Sequence, residues 1–123
     1  MTVPMNILKK LYDFVDEELN INNSYDEIIY FDENHEPDKI QKNIVITVYN
    51  YSYTLSKNNR FKILLEEGGG EGGSEDVEFV FQLDDYYFLC HFNYYSYHGY
   101  DFDNLTVQLC EPKPVMVTQY HPI

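Results

Sequence analysis

The fold the sequence predicts is α+β: one N-terminal amphipathic helix packed on a mainly antiparallel meander sheet of five to seven strands. Three observations predict it. Apolar residues near the N-terminus recur at helical spacing. From Ile40 onward apolar and polar residues alternate with period two between clusters of turn-forming residues. The length of 123 residues is that of a single domain, 1–123, able to bury a core without disulfide staples.

The helix lies between Pro4 and Leu19, where Ile7, Leu8, Leu11, Phe14, Val15 and Leu19 make an apolar stripe. Lys9, Lys10, Asp13, Asp16, Glu17 and Glu18 fill the opposite face. Asn20–Ser24 then reads as a turn, Glu27–Phe31 as a short strand, and Asp32–Asp38, polar and containing Pro37, as a surface loop. The run Asn43–Leu55 carries Ile44, Ile46 and Val48 in one parity and Tyr49, Tyr51, Tyr53 and Leu55 in the other, which predicts a long strand with a bulge or bend near Val48 and Tyr49. After a turn at Lys57–Arg60, the alternating runs 61–66 and 77–83 form a hairpin pair, and Asp84-Asp85 turns the chain again. Tyr86–Tyr97 is apolar in both parities, so it is expected to be a central strand covered on both faces. A loop over 98–104, a strand through Leu105, Val107 and Leu109, a turn at Glu111–Pro114 and a last strand from Val115 and Val117 to Tyr120 complete the meander. A curled sheet or a small open barrel satisfies this pattern equally.

Charge narrows the function classes. Lys plus Arg is 8 and Asp plus Glu is 21, so the net charge is 8 − 21 = −13. The basic footprint that phosphate binding needs is absent, which argues against direct nucleic-acid binding. Apolar residues at 44% and aromatics at 17% argue against disorder. Thirteen Tyr and eleven Asn, with no Ala, no Trp and Arg60 as the one arginine, fit coding by an AT-rich genome, as in many phages, large DNA viruses and some bacteria. Met1–Lys10 lacks the pattern of a secretion signal, and no stretch is apolar enough to cross a membrane. The expected location is intracellular, in the host cytoplasm or a virion, with Cys90 and Cys110 reduced.

Mapped by position, the charge is lopsided: residues 43–65 hold Lys57, Arg60 and Lys62 and no acid, whereas residues 66–111 hold 11 acids and no Lys or Arg. Glu66, Glu67, Glu71, Glu75, Asp76 and Glu78 crowd around Gly68, Gly69, Gly70, Gly72 and Gly73. Such a segment is either a solvated hairpin tip or a negative surface that captures a basic partner. Its spacing does not match a Ca²⁺ loop, and it lacks the Lys and Ser/Thr of a phosphate cradle. His35, His91, His98 and His121 have no ligand spacing, and Cys90 and His91, as strand neighbours, point to opposite faces, so neither zinc nor a Cys–His nucleophile is expected. Asp101 and Asp103 read as loop residues that bond their own backbone rather than as a catalytic pair. Tyr94, Tyr95, Tyr97, Tyr100 and Phe102 lack the cations of a single-strand groove, so they read as part core and part contact surface.

Three segments carry a resemblance: Gly69-Gly70-Glu71-Gly72-Gly73, the run Tyr94 to Asn104 centred on Ser96-Tyr97-His98-Gly99, and the proline-led close from Glu111-Pro112-Lys113 to Val115, Val117 and Tyr120. Their order over residues 65–120 resembles a group of small phage and large-DNA-virus proteins sharing a GGEG-type turn, a SYxG turn and such a last strand. Ser74 departs from the final glycine of the first motif, and residues 1–60 have no counterpart. The group has no assigned activity, so the resemblance implies no catalytic residue; Gly70, Gly72 and Gly99 are expected to be turn glycines with positive φ.

The expectation is a non-enzymatic acidic protein of viral or mobile-element origin that needs no cofactor or metal. It binds a basic host protein in the manner of a DNA mimic through Glu66, Glu67, Glu71, Glu75, Asp76, Glu78, Asp101 and Asp103, with Tyr95, Tyr97 and Tyr100 as an aromatic contact surface. The alternative is a virion structural or assembly accessory that oligomerises through sheet edges. The sequence leaves the oligomeric state open.

Overall fold

The computed structural model describes residues 3–19, 37–68, 76–95, 99–113 and 118–123. Over these the chain is α+β: helices α1 (Met5–Leu19), α2 (Pro37–Asn50) and α3 (Ser52–Leu55) precede strands β1 (Phe61–Glu67), β2 (Asp76–Leu83), β3 (Tyr86–Tyr95) and β4 (Gly99–Cys110). The strands form one antiparallel meander in the order β1-β2-β3-β4. The sheet stays open, so the barrel alternative is excluded, and four strands are described where five to seven are expected.

α1 forms as its stripe dictates, burying Leu8, Leu11, Phe14 and Val15. The largest correction concerns 43–55, expected as a strand and found as α2 and α3. Ile44, Ile46 and Val48 alternate, but Ile40, Ile44, Val45 and Val48 also recur with the helical period, and it is this second set that is buried. Packing on the sheet decides between the two periods and overrides the strand preference of the β-branched residues. Pro37 and Asp38, expected in a loop, open α2; proline suits the first helical turn, where its missing N–H has no intrahelical acceptor. Tyr53, on the outer side of α3, is 81% exposed, while Leu55 is fully buried.

The helices cover one face of the sheet. Between the layers lies a phenylalanine stack: Phe81 has ring centroids 5.5 Å from Phe61, 5.4 Å from Phe79 and 4.7 Å from Phe88, and Phe14 of α1 stacks on Phe61 at 6.1 Å. All five rings are 2% exposed or less. Arg60 ties the helical layer to the far turn. It donates from Nε and a terminal nitrogen to the two Asp84 oxygens at 2.9 and 2.8 Å, and its guanidinium lies 5.1 Å from the Phe14 ring centre. This hydrogen bonding holds the Asp84 carboxyl below its ordinary pKa. The expected Asp84-Asp85 turn is present, with Asp84 at φ +52°.

Two irregularities decide which way side chains face. In β1 the pairing steps from Ile63 opposite Phe81 to Leu65 opposite Val80, so Leu64 is an extra residue. Phe61 and Ile63 therefore face the helices before the bulge, whereas Glu66 does so after it. In β4 the pairing jumps from Asn93–Asp101 to His91–Thr106, leaving residues 102–105 opposite Phe92 alone. The expected loop over 98–104 is thus strand from Gly99 onward, its loop-like residues absorbed in this wide bulge. β3 is an interior strand, but its second face, expected to be covered, bears half-buried Tyr87 and Leu89 and exposed His91. Among the C-terminal residues, 118–123 are not strand, and Tyr120 is 92% exposed. The turn at 20–24, the strand at 27–31 and the residues Val115 and Val117 lie outside the described residues. No helix among the described residues is long and apolar enough to cross a membrane.

Cys90 and Cys110 are both free thiols. Burial pushes each thiol pKa above its ordinary range, more so for fully buried Cys90. Since the thiolate is the nucleophile, a disulfide reagent near neutral pH is expected to titrate Cys110 slowly, faster as pH rises, and Cys90 only on unfolding. Cys110→Ser removes the slow native phase; two equal fast phases contradict this placement.

Candidate functional site

The sheet face turned away from the helices is the open face. Register places Glu67 of β1, Glu78 of β2, His91 of β3 and Thr106 of β4 in one row across all four strands. The next row outward holds Asp76 opposite Asn93, and Asn93 opposite Asp101. Between these rows opens a groove of about 600 Å³ lined by Glu67, Gly68, Asp76, Val77, Glu78, His91, Phe92, Asn93, Asn104 and Thr106. Among the described residues three carboxylates line it, and no Lys or Arg does.

Each strand supplies its part for a local reason. The Leu64 bulge rotates Glu67 to the open face. Gly68, at φ +87°, ends β1 so close to the carbonyl oxygen of Asp76 that a Cβ would collide with it, which pins the mouth of the hairpin and sets Glu67 beside Asp76 and Glu78. β4 reaches the groove through Asn104 in its wide bulge and Thr106 just beyond. Glu67 and Glu78 sit directly opposite one another, an arrangement that costs stability and that a row chosen for stability alone would avoid.

The other acidic candidates are distributed differently. Glu66, one residue before Glu67, faces the helices: its Oε1 accepts a hydrogen bond from the Tyr49 hydroxyl at 3.3 Å. Asp101 accepts from the backbone N–H of Asp103 at 2.9 Å, the backbone role expected of it, while Asp103 lies 3.6 Å from Lys42 of α2. Glu71, Glu75, Gly70, Gly72, Tyr97, His35 and His98 lie outside the described residues. Gly99 has φ +76° with open space around it, so it is the left-handed backbone that asks for glycine there. Tyr95 ends β3 opposite Gly99. Tyr100, 41% exposed, belongs to an aromatic cluster on the helix side, with ring centres 5.1 Å from Tyr49, 5.0 Å from Tyr94 and 6.0 Å from Phe92. The acidic groove and this cluster therefore occupy opposite faces of the sheet.

His91, Asn93, Asn104 and Thr106 are site residues that charge counting misses. The signal for His91 and Asn93 lies in their parity, opposite to that of Phe88, Cys90 and Phe92. Among the described residues no group of three His, Cys, Asp or Glu side chains is arranged to hold a metal ion. The groove offers hydrogen-bond acceptors and negative charge, which suits the ammonium and guanidinium groups of a partner. No protein-family model matches the chain, and no match emerges among curated proteins or solved structures.

Proposed function

We propose that this is a non-enzymatic binding protein whose open sheet face receives cationic side chains of a basic protein, with Glu67, Asp76 and Glu78 as the charged contacts. The observation that carries the reading is the convergence of those three carboxylates, from two strands, on one groove. A net charge of −13 adds long-range steering of a basic partner toward any acidic face. In the setting suggested by the composition and the turn motifs, the target is a nucleic-acid-handling host protein, and the carboxylates stand where phosphates stand.

The test compares two charge-matched variants in titrations with an oligolysine peptide. Glu67→Gln/Asp76→Asn/Glu78→Gln is expected to bind about tenfold more weakly than wild type, each exposed ion pair contributing about 0.5 kcal/mol. Asp13→Asn/Glu17→Gln/Asp85→Asn, which removes as much charge elsewhere, is expected to lose far less. Wild-type binding weakens with salt. Equal losses in the two variants contradict the assignment. Glu78→Gln alone is expected to raise stability by up to about 0.5 kcal/mol while lowering affinity, because it relieves the repulsion across the β1–β2 pair.

A further inference from the structure

We propose that the outer edge of β4 pairs with the same edge of a second copy of this chain, antiparallel about a two-fold axis, to make a continuous eight-stranded sheet. β4 is an edge strand, and among the described residues no backbone hydrogen bond from outside the sheet reaches it. Unpaired strand edges recruit further strands unless something guards them. β1, the other edge, is guarded by Lys62, Glu66 and Glu67 and kinked at Leu64. β4 is guarded at its start by Asp101, Asp103 and the wide bulge, and Asp38, Gln41 and Lys42 of α2 line a groove beside Leu105–Val107. From Leu105 to Cys110 it runs six residues without a charge, and Leu109 there is 38% exposed.

Charge selects a second copy as the occupant and fixes the register. With Gln108 opposite Gln108 across the axis, Thr106 faces Cys110, Leu105 faces Glu111, and Lys113 comes alongside Asp103 of the other copy. Shifting the axis to Val107 brings Lys113 to Asp101 but sets Asp103 against Glu111, a like-charge clash that the Gln108 register avoids. Lys113 is the only Lys or Arg after Lys62 in the sequence, and the first register sets it against Asp103 with no acid facing an acid. Because Asn104 and Thr106 line the acidic groove, the pairing brings the two grooves together on one extended face. This surface is separate from the groove carboxylates, so neither proposal depends on the other.

Sedimentation of the full chain over a wide concentration range tests it. A monomer–dimer equilibrium is expected, strengthened by salt because each copy carries −13, whereas oligolysine binding weakens with salt. Gln108→Lys places two ammonium groups across the axis and is expected to weaken the dimer about tenfold or more, although it lowers the net negative charge. Non-specific association governed by net charge predicts the reverse sign for that variant. Oxidised Gln108→Cys/Cys110→Ser is expected to give a covalent dimer, since facing strand residues lie within disulfide reach, and Lys62→Cys/Cys110→Ser is not. A chain that stays monomeric at high concentration in high salt, or a Gln108→Lys dimer as tight as wild type, overturns the proposal.

Discussion

Phe81→Ala is expected to destabilise the protein by about 3–5 kcal/mol, a large share of the roughly 5–15 kcal/mol that holds a domain of this size folded. Phe81 is fully buried and is the ring on which the stack turns: Phe61 of β1, Phe79 of its own strand and Phe88 of β3 all rest on it. Removing it opens a cavity bounded by three rings whose own positions are fixed by α1 and the neighbouring strands, so the gap closes poorly. Urea unfolding should show a much lower midpoint at a similar slope, and thermal unfolding a fall of about 10–20 °C. Phe81→Leu, which keeps most of the volume, should cost much less. A loss below about 1 kcal/mol for the alanine variant contradicts the described core.

Tyr49→Ala is expected to cost about 3 kcal/mol, and Tyr49→Phe only about 1 kcal/mol. The Tyr49 ring, near the end of α2, meets Phe79, Phe92, Tyr100 and Phe102 edge-on at 4.8–6.3 Å, and its hydroxyl donates to Glu66. The ring therefore joins the helical layer to three strands, and the hydroxyl adds one bond at the rim. Burial, followed by hydrogen bonding to Tyr100 and the negative charge of Glu66, pushes the phenol pKa far above its ordinary value. The unfolded chain then ionises first. The stability from a neutral Tyr49 is complete below about pH 10, the unfolded value, and declines as pH rises from there toward the folded value. Tyr49→Phe has no phenol to ionise, so its stability relative to wild type should improve between neutral pH and pH 11; an unchanged difference contradicts the burial of this hydroxyl.

α1 was legible because its apolar residues follow one period only. α2 was not, because Ile44-x-Ile46-x-Val48 satisfies the strand period while Ile40, Ile44, Val45 and Val48 satisfy the helical one, and the choice rests on a sheet that lies later in the chain. Pro37 with Asp38 was the local signal of a helix start, and it reads equally well as a loop. The β1–β2 hairpin and β3 were legible because alternation and the Asp84-Asp85 turn agree. The start of β4 was hidden by Gly99, Asp101, Asp103 and Asn104, which favour turns and are accommodated in a bulge. At the site, the excess of carboxylates is visible in the sequence, but the face each one takes is set by the single extra residue Leu64, which sends Glu66 under α2 and Glu67 to the groove.

The central claim is that negative charge acts from one place on the open face rather than from the whole surface. Backbone amide chemical-shift mapping during titration with oligolysine tests it most directly. The account predicts shifts concentrated at Glu67, Asp76, Glu78, His91, Asn93, Asn104 and Thr106, with little change at the acidic face of α1. Shifts spread evenly over α1 and the sheet, or centred on Asp13, Asp16 and Glu17, contradict it.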